Sequence, residues 1–211
     1  SVVGLPGNNV QLKYDLDTLI SDRNDLLSLA GEIALPENIQ IPQEYRITSQ
    51  GATNLQDANI DAQLITDLGE LKLKFDLQND QFVSQVELAE IDLGSILMDS
   101  TFGKTTLICD AKGSLKDFKP QQFELNATVD YLEWNNKYIE QSTFDLSMEN
   151  EIYDAKLNVQ DSAVSASLVS QFFQSDSVLH FDSDIEIDKI ELQGLNLMDE
   201  FFEISGQVGL G

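Results

Sequence analysis

The sequence predicts an all-β protein whose strands form one elongated antiparallel sheet. Apolar and polar residues alternate along almost the whole chain, a pattern typical of strands with one dry face and one wet face. Residues 86–98 and 185–198 share one residue pattern: an alternating strand, a phase shift, a glycine and a short apolar cluster. Such repetition indicates a stacked architecture. Because few helices are predicted to cover the apolar side of the sheet, either the sheet folds over on itself or it stays partly open and binds an apolar partner.

The predicted strands follow one another along the chain with short turns between them. Leu12, Tyr14 and Leu16 alternate with charged residues in the first strand. Turn-forming residues recur at 78–80, 135–137, 149–151 and 160–162, which indicates an antiparallel meander. The predicted apolar lining comprises Leu71, Leu73, Phe75, Leu77, Val86, Leu88, Leu125, Ala127, Val129, Leu146, Leu157, Val159, Leu168, Ile185 and Ile187.

One segment near the N-terminus departs from the strand pattern. Ser21 or Asp22 can cap a helix, the following apolar residues recur at helical spacing, and Pro36 ends the pattern. A short helix is therefore predicted over residues 22–34. Short turns are expected after Gly94 and Gly194, where the apolar clusters Ile96-Leu97-Met98 and Leu195-Leu197-Met198 are expected to cover an end of the sheet.

The repeat also predicts how the chain is organised. Similar sequence patterns begin at Gly51 and at Gly113. Residues 1–50 are read as lead-in strands and helix, residues 51–112 as a first unit, and residues 113–211 as a second unit with extra hairpins. The 211 residues begin without a methionine, and we expect them to be one elongated fragment of a longer protein.

Composition narrows the classes of partner. The chain carries 37 acidic and 12 basic side chains, for a formal net charge of −25. Such a field repels phosphate backbones, so nucleic-acid binding is not expected. The sequence contains no apolar run of the roughly 18 to 20 residues that a spanning helix needs, so any membrane anchor is expected outside these residues.

Residue types that carry chemistry are sparse, and the chain is not expected to be an enzyme. His180 alternates with apolar neighbours and is predicted to face solvent, whereas Cys109 lies in an alternating run and is predicted to be an ordinary strand residue. Asp182, Asp184, Glu186 and Asp188 alternate along one strand. Because no glycine-bearing loop wraps these acids around a point, a solvated face is favoured over a cation site. No cofactor and no metal are predicted.

Several segments resemble the interior of TamB and AsmA-like proteins. The resemblance lies in LPENIQIP at 35–42, TDLGELKL at 66–73, GSLKDFKPQQFELNATV at 113–129 and FDLSMENEIYDAKLNV at 144–159. The resemblance extends over about residues 35–210. It lies in the residue pattern of the strands and includes no invariant catalytic motif.

The resemblance implies a location and a function. Members of this family are anchored in the inner membrane of Gram-negative bacteria and cross the periplasm with a sheet curled into an open trough with an apolar lining, the so-called β-taco. For this chain the resemblance therefore implies an elongated antiparallel sheet curled into such a trough, which the ordinary twist of a sheet would allow. For this chain it implies a non-catalytic segment in outer-membrane biogenesis and protein secretion. The trough would carry phospholipid acyl chains or shelter unfolded strands of outer-membrane or secreted proteins. The resemblance also implies a partner, an outer-membrane protein of the Omp85 class, which would bind a C-terminal part that these residues do not include.

A different class of protein shares some of these features. A surface β-sandwich that binds carbohydrate or mediates adhesion also has short strands and an acidic surface. Sugar sites usually show clustered exposed aromatic side chains, and Trp134, Tyr131 and Tyr138 are the local cluster available. This alternative is left open by the sequence.

Overall fold

The described residues form a single antiparallel sheet of thirteen strands. The computed structural model describes residues 2–3, 11–25, 40–54, 57–116, 119–175 and 178–210. Each strand is paired with the one before it in the sequence, so the spatial order is the chain order. The strands are β1 Val2–Val3, β2 Gln11–Asp22, β3 Glu44–Thr53, β4 Ala58–Thr66, β5 Gly69–Gln78, β6 Gln81–Asp92, β7 Phe102–Lys116, β8 Lys119–Trp134, β9 Lys137–Glu149, β10 Ile152–Gln160, β11 Val164–Ser175, β12 Val178–Glu191 and β13 Glu203–Leu210.

Turn chemistry fixes the register between neighbouring strands. Asn79–Asp80, Asn135–Asn136 and Asn150–Glu151 are two-residue turns in which both residues have positive φ. This is the backbone form whose twist matches that of an antiparallel hairpin, and asparagine tolerates it better than most residues. The turns predicted at these places are therefore confirmed.

The phase shifts of the repeat are β-bulges. The pairing of β6 with β7 shifts between Leu88 and Ile91, and the pairing of β12 with β13 shifts between Ile187 and Ile190. One extra residue on a strand restores the apolar side chains to the same face after the shift. The two repeated stretches thus occupy equivalent places in the sheet, six strands apart.

After each bulge the chain leaves the sheet in a short non-extended segment. Leu93–Leu97 form the helix α1, capped by the Asp92 carboxylate, which accepts a hydrogen bond of 2.9 Å from the Ser95 N–H. Residues 192–196 form turns at the corresponding place after β12. Residues 23–25 are helical, so the predicted helix at 22–34 is seen only at its start, and residues 26–39 lie outside the described residues. The helix α1 was not predicted.

The sheet is open and no second layer covers it within the described residues. Its buried apolar side chains are few, namely Ile41, Tyr45, Met148 and Leu195. The accessible surface of 14294 Å² is about 1.5 times the roughly 9800 Å² expected for a compact monomer of this mass. The predicted all-β, antiparallel, open sheet is confirmed, and the alternative of a β-sandwich is wrong because a sandwich needs two packed sheets.

Candidate functional site: the apolar face of the sheet

Cross-strand pairing aligns the apolar side chains in four rows on one face of the sheet. Paired residues in antiparallel strands point to the same side, so the register assigns each row directly. We number the rows from the end of the sheet nearest the Asn79–Asp80 turn and call the surface they form the apolar face.

Row 1 consists of Leu12, Thr53, Ala58, Leu77, Phe82, Gly113, Phe123, Met148, Tyr153, Phe172 and Phe181. Row 2 consists of Tyr14, Gly51, Ile60, Phe75, Ser84, Ala111, Leu125, Leu146, Ala155, Ser170, Ser183 and Leu210. Row 3 consists of Leu16, Ser49, Ala62, Leu73, Val86, Cys109, Ala127, Phe144, Leu157, Leu168, Ile185 and Val208. Row 4 consists of Leu19, Ile47, Leu64, Leu71, Leu88, Leu107, Val129, Ser142, Val159, Ala166, Ile187 and Gly206.

No charged residue occurs in any of the four rows. Charged residues make up 23% of the chain, so an uncharged surface eleven or twelve strands long reflects segregation of charge to the other face. Most side chains of the rows on β3 to β12 are half-buried, and those on β2 and β13 are exposed. The apolar face therefore remains in contact with water along its whole length.

Two buried serines on the apolar face bond to each other. Ser183 and Ser170 are paired across β11 and β12, and the Ser183 hydroxyl donates to the Ser170 hydroxyl at 2.6 Å. The Ser170 hydroxyl in turn donates to the Asp182 carbonyl at 3.3 Å. No buried side-chain nitrogen or oxygen in the described part of the chain lacks a hydrogen-bond partner. Burial of these serine hydroxyls is thus compensated by hydrogen bonds.

Row 1 carries most of the aromatic side chains of this face. Tyr153 and Phe172 stack with ring centroids 4.9 Å apart and planes inclined by 2°. Phe123 meets Tyr153 edge-on at 6.4 Å, and Phe82 covers Gly113, whose backbone leaves room for the ring. Such pairs stabilise neighbouring strands, and rings over glycine restore the packing that glycine lacks. One end of the apolar face is therefore an aromatic rim.

The opposite face is polar and carries the ion pairs. Lys72 lies 3.4 Å from Glu70 and 3.6 Å from Glu87, and these two carboxylates, Glu70 first, raise the pKa of Lys72. Lys104, Lys112 and Lys189 make further ion pairs on this face. Exposed pairs of this type contribute little stability, but they hold the long side chains on the wet side.

The polar face carries two clefts between β2 and β7. Two adjoining clefts of about 340 Å³ and 680 Å³ share Asp15, Gln50, Asp61, Lys74 and Gln85 in their linings. The described residues around these clefts include no group of three or more His, Cys, Asp or Glu side chains that could hold a metal ion. The apolar face offers an extended surface rather than an enclosed pocket.

A small polar cluster marks the bulge of β6 on the polar face. Glu90 has a φ of 55°, accepts a hydrogen bond from the Tyr131 hydroxyl, and lies 3.2 Å from the Lys104 ammonium. These two donors, Tyr131 first, lower the pKa of Glu90. The Glu90 N–H donates to the Thr106 hydroxyl at 3.1 Å. The cluster holds the extra residue of the bulge outward, which keeps Leu88 and Ile91 on the same side.

The residues that could have carried chemistry lie apart from one another. His180 is on the polar face, where it stacks on Phe173 with centroids 4.7 Å apart, and its predicted placement opposite Phe181 is confirmed. Cys109 is in row 3, and burial raises the pKa of its thiol, followed by the effect of Asp110. The thiol is therefore neutral at neutral pH, and a neutral thiol is a poor nucleophile.

The acidic strand β12 is interrupted by its bulge. Asp182, Asp184 and Glu186 pair with polar-face residues of β11, as predicted for a straight strand. Asp188 falls at the bulge, where it accepts a hydrogen bond of 2.9 Å from the Ser165 hydroxyl. Ser165 lies on the polar face, so Asp188 meets the same face as the other three acids although the strand is not straight there.

The register places all fifteen residues of the predicted lining on the apolar face. Leu77 is in row 1, and the other fourteen are distributed over rows 2, 3 and 4. Whether this face holds a ligand remains a prediction. Sequence reasoning left out several large side chains of the same rows, namely Leu64, Phe82, Leu107, Phe123, Phe144, Met148, Tyr153, Phe172 and Phe181. Their alternation with polar neighbours was the signal that could have included them.

The aromatic cluster considered for a sugar site does not form one platform. Tyr131 and Tyr138 meet edge-on at 5.4 Å on the polar face, and Glu133 is the cross-strand partner of Tyr138. Trp134 follows Glu133 in an extended strand and therefore points to the opposite side. Sugar binding by these three side chains together is not supported.

The apolar clusters at the bulged end of the sheet cover it only in part. Leu195 is buried, with 3% of its surface exposed, but Met98 is 66% exposed, and Leu97, Leu197 and Met198 are exposed as well. The backbone of this region is tied to its neighbours, since the Gln40 N–H donates to the Ile96 carbonyl at 2.7 Å. The expectation that these clusters cover the sheet end holds for Leu195, which is buried, and in part for Ile96, which is half-buried.

Comparison of the chain with family models, with curated proteins and with solved structures gives no match. Among the described residues, no helix has the length and hydropathy needed to cross a membrane.

Proposed function

We propose that the apolar face carries the acyl chains of phospholipids, and that the chain is a non-catalytic segment of a TamB/AsmA-like protein. The observation that carries the proposal is the absence of charge from four rows that run across the whole described sheet and remain half exposed. A half-exposed apolar surface of this length is unusual for a monomer and marks a site for an apolar partner.

The energetics favour an acyl chain as the occupant. Burial of a methylene group contributes about 0.8 kcal/mol, so half-burial of about fourteen methylenes on the face would contribute about 6 kcal/mol. An acyl chain has no hydrogen-bonding groups to satisfy, so it suits a face whose rows carry no charged side chain. Headgroups would stay in water at the borders of the rows.

The proposal extends to location and partners. The segment would act in the periplasm as part of an inner-membrane-anchored envelope protein of a Gram-negative bacterium. It would contribute there to outer-membrane biogenesis and to the secretion and assembly of proteins, with an Omp85-class protein as the outer-membrane partner. The resemblance of residues 35–210 to TamB and AsmA-like proteins supports this, and so does a sheet whose strands simply follow one another.

Cys109 provides a direct test, because it is the single cysteine and lies in row 3. Purified protein is incubated with phosphatidylethanolamine and phosphatidylglycerol vesicles and separated from them. Bound lipid is counted by native mass spectrometry, and the rate of Cys109 alkylation is measured with and without lipid. We expect one or more bound phospholipids and slower alkylation of Cys109 in the loaded protein.

A matched cysteine reports on the other face. Ile108 is the neighbour of Cys109 in β7 and points to the polar face, with 39% of its surface exposed. In an Ile108→Cys, Cys109→Ser variant, alkylation at position 108 is expected to be unaffected by lipid. Absence of bound lipid, or equal protection at both positions, would overturn the proposal.

The expectation that the face shelters unfolded outer-membrane strands differs in one measurable respect. A polypeptide strand brings backbone groups that need hydrogen bonds, whereas an acyl chain does not. A peptide with alternating apolar and polar residues is therefore added to lipid-loaded protein. Displacement of lipid by an excess of the peptide would favour strands as the occupant, and retention of lipid supports acyl chains.

A further inference from the structure

The connections between strands differ at the two ends of the apolar rows. At the end nearest row 1, the connections that follow β3, β5, β7, β9 and β11 contain only two to four residues. The long connections 93–101 and 192–202 both lie at the opposite end, which also carries the bulges of β6 and β12. We call these two ends the rim end and the bulged end. Connections of two to four residues are too short to fold over the apolar face, whereas the long ones can reach across it.

Hydrogen bonds show that the long connections cross the strand ends. The helix α1 follows β6, yet the Ile96 carbonyl accepts a hydrogen bond from the N–H of Gln40, which precedes β3. These two segments therefore meet across the ends of β4 and β5. The segment after β12 makes a similar crossing, since the Asn196 side-chain amide donates to the Asn135 carbonyl at 2.8 Å in the turn between β8 and β9. This second contact spans the ends of β10 and β11.

Side chains on the apolar side become buried toward the bulged end. Ser142 of row 4 is buried, and so is Leu195 of the crossing segment. Tyr45 lies two residues before Ile47 of row 4, on the same side of the sheet, and it is buried as well. The crossing segments thus close the apolar face at its bulged end.

Row 1 is not covered by any crossing segment of the described chain. Its one buried side chain is Met148, the cross-strand partner of Phe123 on one side and of Tyr153 on the other. The rings of these two partners meet edge-on with centroids 6.4 Å apart, so the aromatic rim itself buries Met148. Phe181, in the same row, is 49% exposed. The rim end of the apolar face is therefore open to water.

The polar headgroup of a phospholipid decides how the molecule can lie on this face. An acyl chain that follows a strand from row 1 to row 4 passes over six residues, or about 20 Å. This distance is close to the extended length of the acyl chain considered above, and the headgroup then lies beyond the last row. A lipid that lies along a row would instead hold its headgroup over uncharged rows, where its charges lose hydration.

The rim end suits a headgroup, and the bulged end does not. The turns Asn79–Asp80 and Asn150–Glu151 lie just beyond the aromatic rim and are exposed. Tyr153 adds an amphipathic ring to row 1, a residue type that favours the border between apolar and aqueous surroundings. At the bulged end, a headgroup would have to displace α1 or the segment 192–196.

We propose that phospholipids lie along the strands with their headgroups at the rim end and their acyl-chain ends toward the bulged end. The rim end is then the side through which a lipid enters and leaves the apolar face. This inference rests on the proposed function and adds to it the orientation of the bound lipid.

Tryptophan fluorescence measures the orientation. The chain has one tryptophan, so Trp134→Phe removes the tryptophan signal and a new tryptophan can be placed at will. In that background, Phe123→Trp lies in row 1 and Val129→Trp lies in row 4 of the same strand, β8. Each variant is loaded with phosphatidylethanolamine that carries a nitroxide quencher either on the headgroup or near the end of an acyl chain.

The two quenchers should give opposite patterns. We expect the headgroup nitroxide to reduce fluorescence more at position 123 than at position 129, and the chain-end nitroxide to reduce it more at position 129. Thr128→Trp is the matched control, because Thr128 is exposed on the polar face of β8 next to Val129. Neither nitroxide should reduce its fluorescence appreciably.

The outcomes separate this inference from the proposed function. Native mass spectra without bound lipid would overturn the proposed function. Bound lipid with the reversed pattern, with equal quenching at positions 123 and 129, or with equal quenching at position 128 would overturn the orientation alone. Circular dichroism shows whether each variant keeps its sheet. Phe82→Trp in row 1 and Leu88→Trp in row 4 of β6 repeat the comparison if a β8 variant does not fold.

Discussion

Replacing Leu168 by aspartate separates the two faces of the sheet within a single strand. Leu168 is half-buried in row 3 of β11, between Leu157 and Ile185. Its neighbour Val169 points the other way, between Lys156 and Asp184, and is 51% exposed. Both changes exchange an aliphatic side chain for a carboxylate in the same strand, so strand propensity is nearly matched between them.

The expected loss follows from burial. Full burial of a leucine side chain contributes about 1.5 to 3 kcal/mol, so half-burial contributes about 1 to 1.5 kcal/mol. A carboxylate placed between two aliphatic side chains adds a desolvation cost of about 1 to 3 kcal/mol. Leu168→Asp is therefore expected to lower the free energy of unfolding by about 2 to 4 kcal/mol. In Val169→Asp, the new carboxylate is attracted by Lys156 on one side and repelled by Asp184 on the other. The free energy of unfolding is therefore expected to change by no more than about 1 kcal/mol.

Urea unfolding followed by circular dichroism gives the two changes, and hydrogen exchange locates them. Because strands pack against their sheet neighbours and little else, faster exchange in Leu168→Asp should centre on β10, β11 and β12. Equal losses for the two variants would refute the assignment of faces. A loss spread evenly over all strands would refute the view of the sheet as a one-dimensional stack.

Further predictions concern other parts of the molecule. Gly113→Val should lower the free energy of unfolding by about 1 to 3 kcal/mol, because a Cβ there would lie 2.3 Å from the Gln122 carbonyl oxygen. Gly206→Val is the control, since no atom lies within 4 Å of the added Cβ. This control should leave the melting temperature nearly unchanged in thermal melts at low protein concentration. Hydrogen bonds from the Ser95 N–H and hydroxyl lower the pKa of Asp92, so the stability from this cap is present above the ordinary aspartate pKa near 4 and is lost as the pH falls through the depressed value. Hydrogen exchange at Asp99, whose N–H donates to Gly94, should therefore accelerate in acid in the unmodified protein, whereas Asp92→Asn should exchange faster at neutral pH and respond less to acid. Because burial raises the pKa of Cys109, its alkylation rate in lipid-free protein should keep rising with pH beyond the point where a free cysteine peptide reaches its plateau, and a rate profile equal to that of the peptide would contradict its placement on the apolar face.

Alternation within a strand was sufficient to predict which side chains share a face. In β5, for example, Leu71, Leu73, Phe75 and Leu77 point to one side and Lys72 and Lys74 to the other. The turns could also be predicted, because Asn79, Asn135 and Asn150 occupy positions of positive φ that few residue types tolerate. Short-range sequence features therefore determine both faces and most of the register.

Features that depend on distant residues were harder to predict. The bulge in β2 lies between Leu16 and Leu19, where the apolar spacing changes from two to three residues, but without the partner strand this spacing also fits a helical turn. The positive φ of Gln141 in β9 has no comparable signal in the local pattern. The extent to which Leu195 is buried while Met98 is exposed depends on the packing of several segments at one end of the sheet, which local pattern does not specify.

The identity of strand order and chain order has a consequence for how the protein is made. Each strand finds its partner among the residues that immediately precede it, so the sequence separation between contacting residues stays short for an all-β protein. Short separations lower the entropic barrier to pairing and speed folding. The sheet can grow by one hairpin at a time as the chain is delivered from its N-terminus, and a force applied at either terminus would peel off strands in succession.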